Sequence, residues 1–399
     1  MKKENDRVVV VYYLSVILFY CTNLITIKDS ANEVIRWPII KLIRSGKVMI
    51  IDTQLLKQSI SRLPATKILR MTGNSIRLVC GTKMAWSFWS ESEPTMLFGK
   101  SELWVSEGIS APSNLQVVQN TIYNILKIQN LLNSEGWKLV VVPVPTKVSI
   151  YRERCQWPIL EKNLINREPV TKDKADEFYN TLIKGLEAQN IRVVNLQSEF
   201  RNYLKRHPDS MIYPRGESHW SGLGLRLAAQ ATAMTLEKHF SFKRRDVSYS
   251  FLEVEEIADL AQAFDPLPIL LGPLKNIYKY KDQLVNGEQG KGYIYPSEPD
   301  ALIVVVGTSY SGQFTWHIGE PVGFAWVLGL NLENIKIQNA AEAGQGSTFA
   351  MQKFLRERGK IILQNDKTIK PYTTSKVLVW EFPVRDIGDI AILNPKVLK

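Results

Sequence analysis

Three runs of consecutive apolar residues constrain the fold of this chain more than any other feature: Lys138–Pro145 (KLVVVPVP), Ala301–Val306 (ALIVVV) and Lys376–Phe382 (KVLVWEF). A strand with one wet face alternates apolar and polar residues, whereas a strand covered on both faces is apolar at successive positions. These runs therefore need packed layers on both sides. Two further strand-like segments, Ile191–Leu196 and Ile335–Asn339, belong to the same series. So do three stretches with helical spacing of apolar residues, Asn114–Glu135, Asp173–Gln189 and Ser221–His239. Strand–helix alternation of this kind predicts an α/β sandwich of three layers built on a mainly parallel sheet.

With 399 residues, 45% of them hydrophobic, the chain can bury one large core, or one core and a modest appendage, which argues against a disordered or fibrous protein. Its formal net charge is +11, so acidic partners such as nucleic acid, anionic lipid or acidic polysaccharide are favoured. Lys and Arg are spread along the whole length, and no aromatic-plus-basic RNA motif or zinc-finger spacing occurs, so no nucleic-acid partner is expected.

The segment Val8–Ile27 has no charged residue and follows Lys2, Lys3 and Arg7. About 20 apolar residues suffice to cross a bilayer, and a basic flank stays in the cytoplasm. The expectation is one N-terminal transmembrane helix that leaves the rest of the chain outside the cytoplasm. A cleaved signal peptide is the rival, but no small-x-small site follows the run. Residues 1–30 are then the cytoplasmic flank and anchor. Residues 31–94 form a stalk or cap with an amphipathic stretch at Trp37–Ile51, and residues 95–399 form the main domain. Of three cysteines, Cys21 lies in the apolar run, while Cys80 and Cys155 could pair in an oxidising compartment and match no metal spacing.

In parallel sheets, functional residues gather beyond the carboxyl ends of strands. Ser309 directly follows the most apolar run, in the turn Gly307-Thr308-Ser309-Tyr310-Ser311. Such a turn exposes a serine hydroxyl and aims N–H groups at a developing oxyanion. Thr308, Ser309 and Ser311 equally suit capping of the next helix. Among the four histidines, His207, His219, His239 and His317, His219 lies two residues after Glu217 and just before a helix start at Ser221-Gly222. A carboxylate at that offset can fix the imidazole tautomer and leave Nε2 free to face a serine. A structural loop histidine is the other reading, and His317 is the competing base. No histidine pair has metal-ligand spacing with a third ligand nearby, and Gly344-Gln345-Gly346 lacks the lysine of a phosphate loop, so neither metal nor cofactor is expected. That glycine pair suits a tight turn or an oxyanion donor.

The pairing of a carboxylate-x-His-Trp segment with a later Gly-x-Ser-x-Ser turn resembles the alginate O-acetyltransferase family of the AlgJ and AlgX type, a permuted branch of the SGNH hydrolase-like proteins. Further segments are similar and stand in family order: Phe98-Gly99-Lys100 with Leu103-Trp104-Val105, Pro143 to Lys147 through Ile150-Tyr151, Asp259-Leu260, and Trp380-Glu381-Phe382-Pro383 with Arg385.

The resemblance implies an SGNH hydrolase-like fold and an acetyl-enzyme route. Ser309 would be the nucleophile, His219 the general base and Glu217 the orienting acid. Tyr310, Gly344 and Gln345 would be candidates for oxyanion or substrate contacts, and Lys147 and Arg385 either for contact with polymer or for structural ion pairing. The implied partners are a membrane-bound O-acyltransferase as acetyl donor and a polysaccharide acceptor, anionic polymers among the candidates, with the chain at the inner membrane and its catalytic domain periplasmic or otherwise extracytoplasmic. Glu217 stands where the family usually has Asp. The chain stops soon after the Trp380 strand, without room for the carbohydrate-binding module of some relatives, so acceptor contact is expected from the catalytic domain itself. An acetylesterase with the same triad and a non-catalytic polysaccharide-binding assembly protein are the alternatives.

Overall fold

A computed structural model describes residues 87–89, 96–106, 112–151, 172–245, 250–260, 279–286, 301–312, 323–358, 362–364, 367–369 and 376–393, with isolated gaps, together with positions 109 and 154. The expected transmembrane run Val8–Ile27, the Trp37–Ile51 stretch, the three cysteines and His317 lie outside the described residues. Among the described residues, no helix is long and apolar enough to cross a membrane. All of them fall in one compact unit, Trp86–Gln262 with Leu270–Lys399.

All five strand-like segments enter one sheet, in the spatial order Arg192–Val193, Lys138–Val144, Val377–Pro383, Ile303–Val306, Ile337–Asn339. Every pairing is parallel. The central strand Val377–Pro383 sets Trp380 beside Val141 on one side and Val306 on the other, and it is buried at all seven positions. The Ile191–Leu196 run yields only a two-residue strand, because the side chain of Asn195 accepts the Ser198 N–H at 3.1 Å and starts the helix Leu196–Arg206.

The consecutive apolar residues are divided between two cores. On one face Val140, Val142, Val305, Val377 and Val379 pack with the helices Gly222–Phe240 and Phe324–Leu330. On the other face Leu139, Val141, Val304, Val306, Leu378 and Trp380 pack with Pro112–Ser134, Lys172–Ala188 and Phe349–Glu357. Each such side chain contributes about 1.5–3 kcal/mol of burial. This is the three-layer α/β sandwich that continuous apolar runs demand.

Among the described residues three antiparallel pairs lie outside the sheet: Ser87–Trp89 with Leu97–Gly99, Ser250–Ile257 with Lys279–Asn286, and Ile362–Gln364 with Lys367–Ile369. The second pair reaches the site-bearing helix, since Asp282 Oδ2 accepts the Gly222 N–H at 2.6 Å. Ser221 caps the same helix: its Oγ accepts the Gly224 N–H at 3.2 Å and donates to the Met211 carbonyl at 2.6 Å. His219 and Trp220 precede this anchored start directly, so the helix fixes their entry.

Candidate active site

Three turns meet beyond the carboxyl ends of the strands. The first carries Glu217 and His219 and is held from below by Lys147, which follows the Lys138–Val144 strand. The Lys147 side chain is fully buried, and Nζ donates to the carbonyls of Pro214, Arg215 and Glu217 at 2.5, 2.8 and 3.1 Å. Burial brings its pKa down to about 8, against the pull of Glu102, Asp259 and Glu217. Tyr213 adds a second tie, its hydroxyl donating to the Pro145 carbonyl at 2.5 Å.

On that turn Glu217 Oε1 lies 2.6 Å from His219 Nδ1, and the same oxygen accepts the N–H groups of Ser218 and His219 at 3.1 and 3.2 Å. The glutamate is only 2% exposed. Its extra methylene relative to aspartate is accommodated without loss of the imidazole contact, because Oε2 accepts the Asp259 N–H at 2.8 Å.

The second turn is Gly307–Ser311. Ser309 Oγ stands 2.8 Å from His219 Nε2, so serine, imidazole and carboxylate form one hydrogen-bonded row. A fully buried carboxylate, Glu381, lies beneath the turn and accepts from the Thr308 N–H at 2.8 Å, the Thr308 hydroxyl at 3.0 Å and the Ser311 hydroxyl at 2.8 Å. A Cβ on Gly307 would come within 2.3 Å of Ser311 Oγ and 2.6 Å of Glu381 Oε2, so the close approach needs glycine.

The third contributor is Asp259, just beyond the strand Ser250–Ile257. Its carboxylate accepts the Ser218 N–H at 2.7 Å and the Ser218 hydroxyl, and stands 3.6 Å from His219 Nδ1. Asp259 was legible only as part of a short Asp-Leu segment, with no role attached. Glu217, His219 and Asp259 bring ligand atoms within 4.8 Å of one another, but the hydrogen bonds above already occupy them.

Burial opposes a charged imidazole, yet the bond to Glu217, with the charges of Glu217 and Asp259, holds the His219 pKa above its ordinary value. Burial, then the charge of Asp259, raises Glu217. Burial works the same way on Asp259, but His219 and the Ser218 donors bring it below the usual carboxylate range.

The other sequence candidates are placed differently. Tyr310 is buried: its hydroxyl donates to the Ser218 carbonyl at 2.6 Å and its ring lies 4.7 Å from that of His219. Arg385 packs its guanidinium 5.4 Å over the Tyr310 ring and 3.4 Å from Glu102. Lys147, whose ammonium is wrapped by carbonyls, presents no surface to a polymer. Gly344 and Gly346 adopt φ of 69° and 76° in a turn whose Gln345 is exposed. That turn follows Glu342, whose N–H donates to the Gly307 carbonyl at 3.0 Å. His207 and His239 lie at the far ends of their helices.

Comparison with known proteins points the same way. The family model described as SGNH hydrolase-like domain, acetyltransferase AlgX, matches residues 97–384. "Probable alginate O-acetylase AlgJ" of Pseudomonas putida is 24% identical over 367 residues, 88% of this chain and 86% of that protein. The protein of the same description from Pseudomonas syringae pv. tomato is 25% identical over 325 residues, 77% of this chain and 73% of its own length. The solved O-acetyltransferase domain of Pseudomonas putida AlgJ superposes with a TM-score of 0.52 at 21% identity, covering 78% of this chain and 97% of that domain, a likeness of fold. On the match of the family model across most of its length, the chain belongs to the AlgX-type acetyltransferases with an SGNH hydrolase-like domain.

Proposed function

We propose that this chain is an O-acetyltransferase that carries an acetyl group on Ser309 and passes it to a hydroxyl of an extracellular or cell-surface polysaccharide of the alginate type. The observation that supports it most is the row Ser309 Oγ, His219 Nε2, His219 Nδ1, Glu217 Oε1, with contacts of 2.8 and 2.6 Å. A serine hydroxyl becomes a competent nucleophile once an oriented imidazole takes its proton.

In the first half-reaction Ser309 Oγ bonds to the acetyl carbonyl carbon while its proton passes to His219 Nε2. The tetrahedral oxyanion collapses, and the donor's leaving oxygen takes that proton. In the second, an acceptor hydroxyl gives its proton to Nε2 and attacks the acetyl carbon, and Ser309 Oγ departs with the proton. Glu217 keeps Nδ1 protonated and balances the imidazolium that forms in each half. A placed histidine is worth about 10²–10⁴ in rate.

An oxyanion needs a free donor. The N–H groups of Thr308, Tyr310 and Ser311 are occupied by Glu381, the Thr308 hydroxyl and the Thr308 carbonyl. The Ser309 N–H has no partner among the described residues, and it takes this role before Tyr310, Gly344 or Gln345.

Topologically, Val8–Ile27 anchors the chain in the inner membrane with the catalytic domain in the periplasm, where a membrane-bound O-acyltransferase supplies acetyl. The names of the AlgJ relatives favour alginate as acceptor. The experiment is to supply the protein with an acetyl ester, with and without an uronic-acid oligosaccharide, and to follow acetyl by mass. Acetyl on the oligosaccharide, lost with Ser309→Ala, supports the transferase. Ester hydrolysis at full rate with no acetylated acceptor makes the protein an esterase, and no reaction at Ser309 makes it a binding protein.

A further inference from the structure

The chemistry above leaves one buried carboxylate beside the site unused. Glu381 lies at 0% exposure near the carboxyl end of the central strand, one position beyond the pairing of Trp380 with Val306, and therefore alongside Gly307. Its donors sit on both sides of Ser309: the Thr308 N–H and hydroxyl immediately before it, and the Ser311 hydroxyl two residues after. Thr308 extends the grip, since its Oγ1 also accepts the Tyr310 N–H at 3.3 Å. These donors are all neutral, so burial is only partly offset and pushes the Glu381 pKa up to about 7. A carboxylate held in a core at such a cost is out of place in a site that merely needs filling.

Serine has one side-chain torsion, so for a given rotamer the location of Oγ is set by the backbone that carries it. Whatever fixes residues 308–311 fixes the distance from Ser309 Oγ to His219 Nε2.

We propose that Glu381 is a positioning residue for Ser309: by gathering Thr308 and Ser311 onto one carboxylate, it holds the turn so that Oγ stays within hydrogen-bonding reach of His219. The inference rests on reading Ser309 as the nucleophile. It assigns no proton transfer to Glu381 and no contact with acetyl donor or acceptor.

The test is the rate at which an aryl sulfonyl fluoride labels Ser309, with folding followed separately by thermal melting. In wild type, labelling establishes the nucleophile. Glu381→Gln keeps shape but turns an acceptor into an amide donor facing a donor-rich turn, and should slow labelling roughly ten- to hundredfold, the effect of a displacement near 1 Å. With an acetyl ester, kcat should fall with little change in KM. Ser311→Ala removes one of the three bonds and should slow labelling several-fold, and the double variant should be no slower than Glu381→Gln, because both act through one carboxylate. A folded Glu381→Gln protein labelled at the wild-type rate overturns the proposal. If that variant does not fold, wild-type labelling of a folded Ser311→Ala protein overturns it, and slowed labelling supports it. Absence of label in wild type removes the nucleophile reading and this inference together, an outcome distinct from normal labelling in every variant.

Discussion

The hydroxyl of Tyr310, one residue past Ser309, donates at 2.6 Å to the carbonyl of Ser218, one residue before His219. The Ser309 turn and the His219 turn are thus tied to each other independently of the serine–imidazole contact. Burial, with the negative charges of Glu102, Asp259 and Asp386, raises the phenol pKa well above its ordinary value against the pull of Arg385.

Tyr310→Phe should leave a nearly isosteric ring in place but strand the Ser218 carbonyl, costing about 1–3 kcal/mol of stability. Acetyl-ester turnover should drop about tenfold, since the two turns lose their shared brace. Denaturant unfolding and steady-state kinetics on the same preparation check both; turnover equal to wild type would show that the brace has no part in the chemistry.

Glu217→Gln should move the pH profile in a definite direction. The carboxylate raises the His219 pKa against burial, and only neutral imidazole accepts the Ser309 proton. Without the carboxylate, burial dominates and the pKa falls. The rising limb of Ser309 labelling should therefore shift to lower pH, while its plateau drops by on the order of 10²–10⁴. A limb that stays in place or moves to higher pH contradicts the assigned orienting role.

Asp259→Asn should have a smaller effect in the same sense. Its carboxylate holds the Ser218 N–H and hydroxyl and adds charge near His219. Loss of that charge should slow labelling roughly three- to tenfold, about 1 kcal/mol, and lower the limb less than Glu217→Gln does. Labelling across a pH series in both variants gives the comparison.

Gly307→Ala should be the most damaging single methyl in the site. The new Cβ would meet Ser311 Oγ at 2.3 Å and Glu381 Oε2 at 2.6 Å, both buried and hydrogen-bonded to each other. A loss of about 1–3 kcal/mol is expected, together with slowed labelling; an unchanged unfolding midpoint would mean that the turn can relax.

The sheet was legible from sequence because burial on both faces leaves a one-dimensional trace. All three apolar runs and both further strand-like segments supplied its strands, and Asn114–Glu135, Asp173–Gln189 and Ser221–His239 match the helices Pro112–Ser134, Lys172–Ala188 and Gly222–Phe240 to within two residues. The helix Phe324–Leu330 escaped notice because all seven of its residues are buried, so it shows no amphipathic period. The antiparallel pair Ser250–Ile257 with Lys279–Asn286 is not announced by a short turn, its strands being more than twenty residues apart in sequence. Within the site, Glu217 and His219 were readable together because they lie two residues apart. Lys147 and Glu381 carry charges whose partners lie 67–70 and 70–73 residues away, a distance over which sequence pattern is silent. From sequence Lys147 could be a polymer contact or a structural partner, and burial makes it a structural one, a cap for three carbonyls.

That cap has a mechanical consequence. Lys147 ties the His219 turn to the Lys138–Val144 strand, and Glu381 ties the Ser309 turn to the neighbouring Val377–Pro383 strand. The gap between Ser309 and His219 is therefore spanned by a frame whose stiffness is that of adjacent, hydrogen-bonded strands. Such elements open only near global unfolding. Slow amide exchange at Thr308 and Ser218 should therefore accompany that of the central strand, the floor of the site moving only with the sheet.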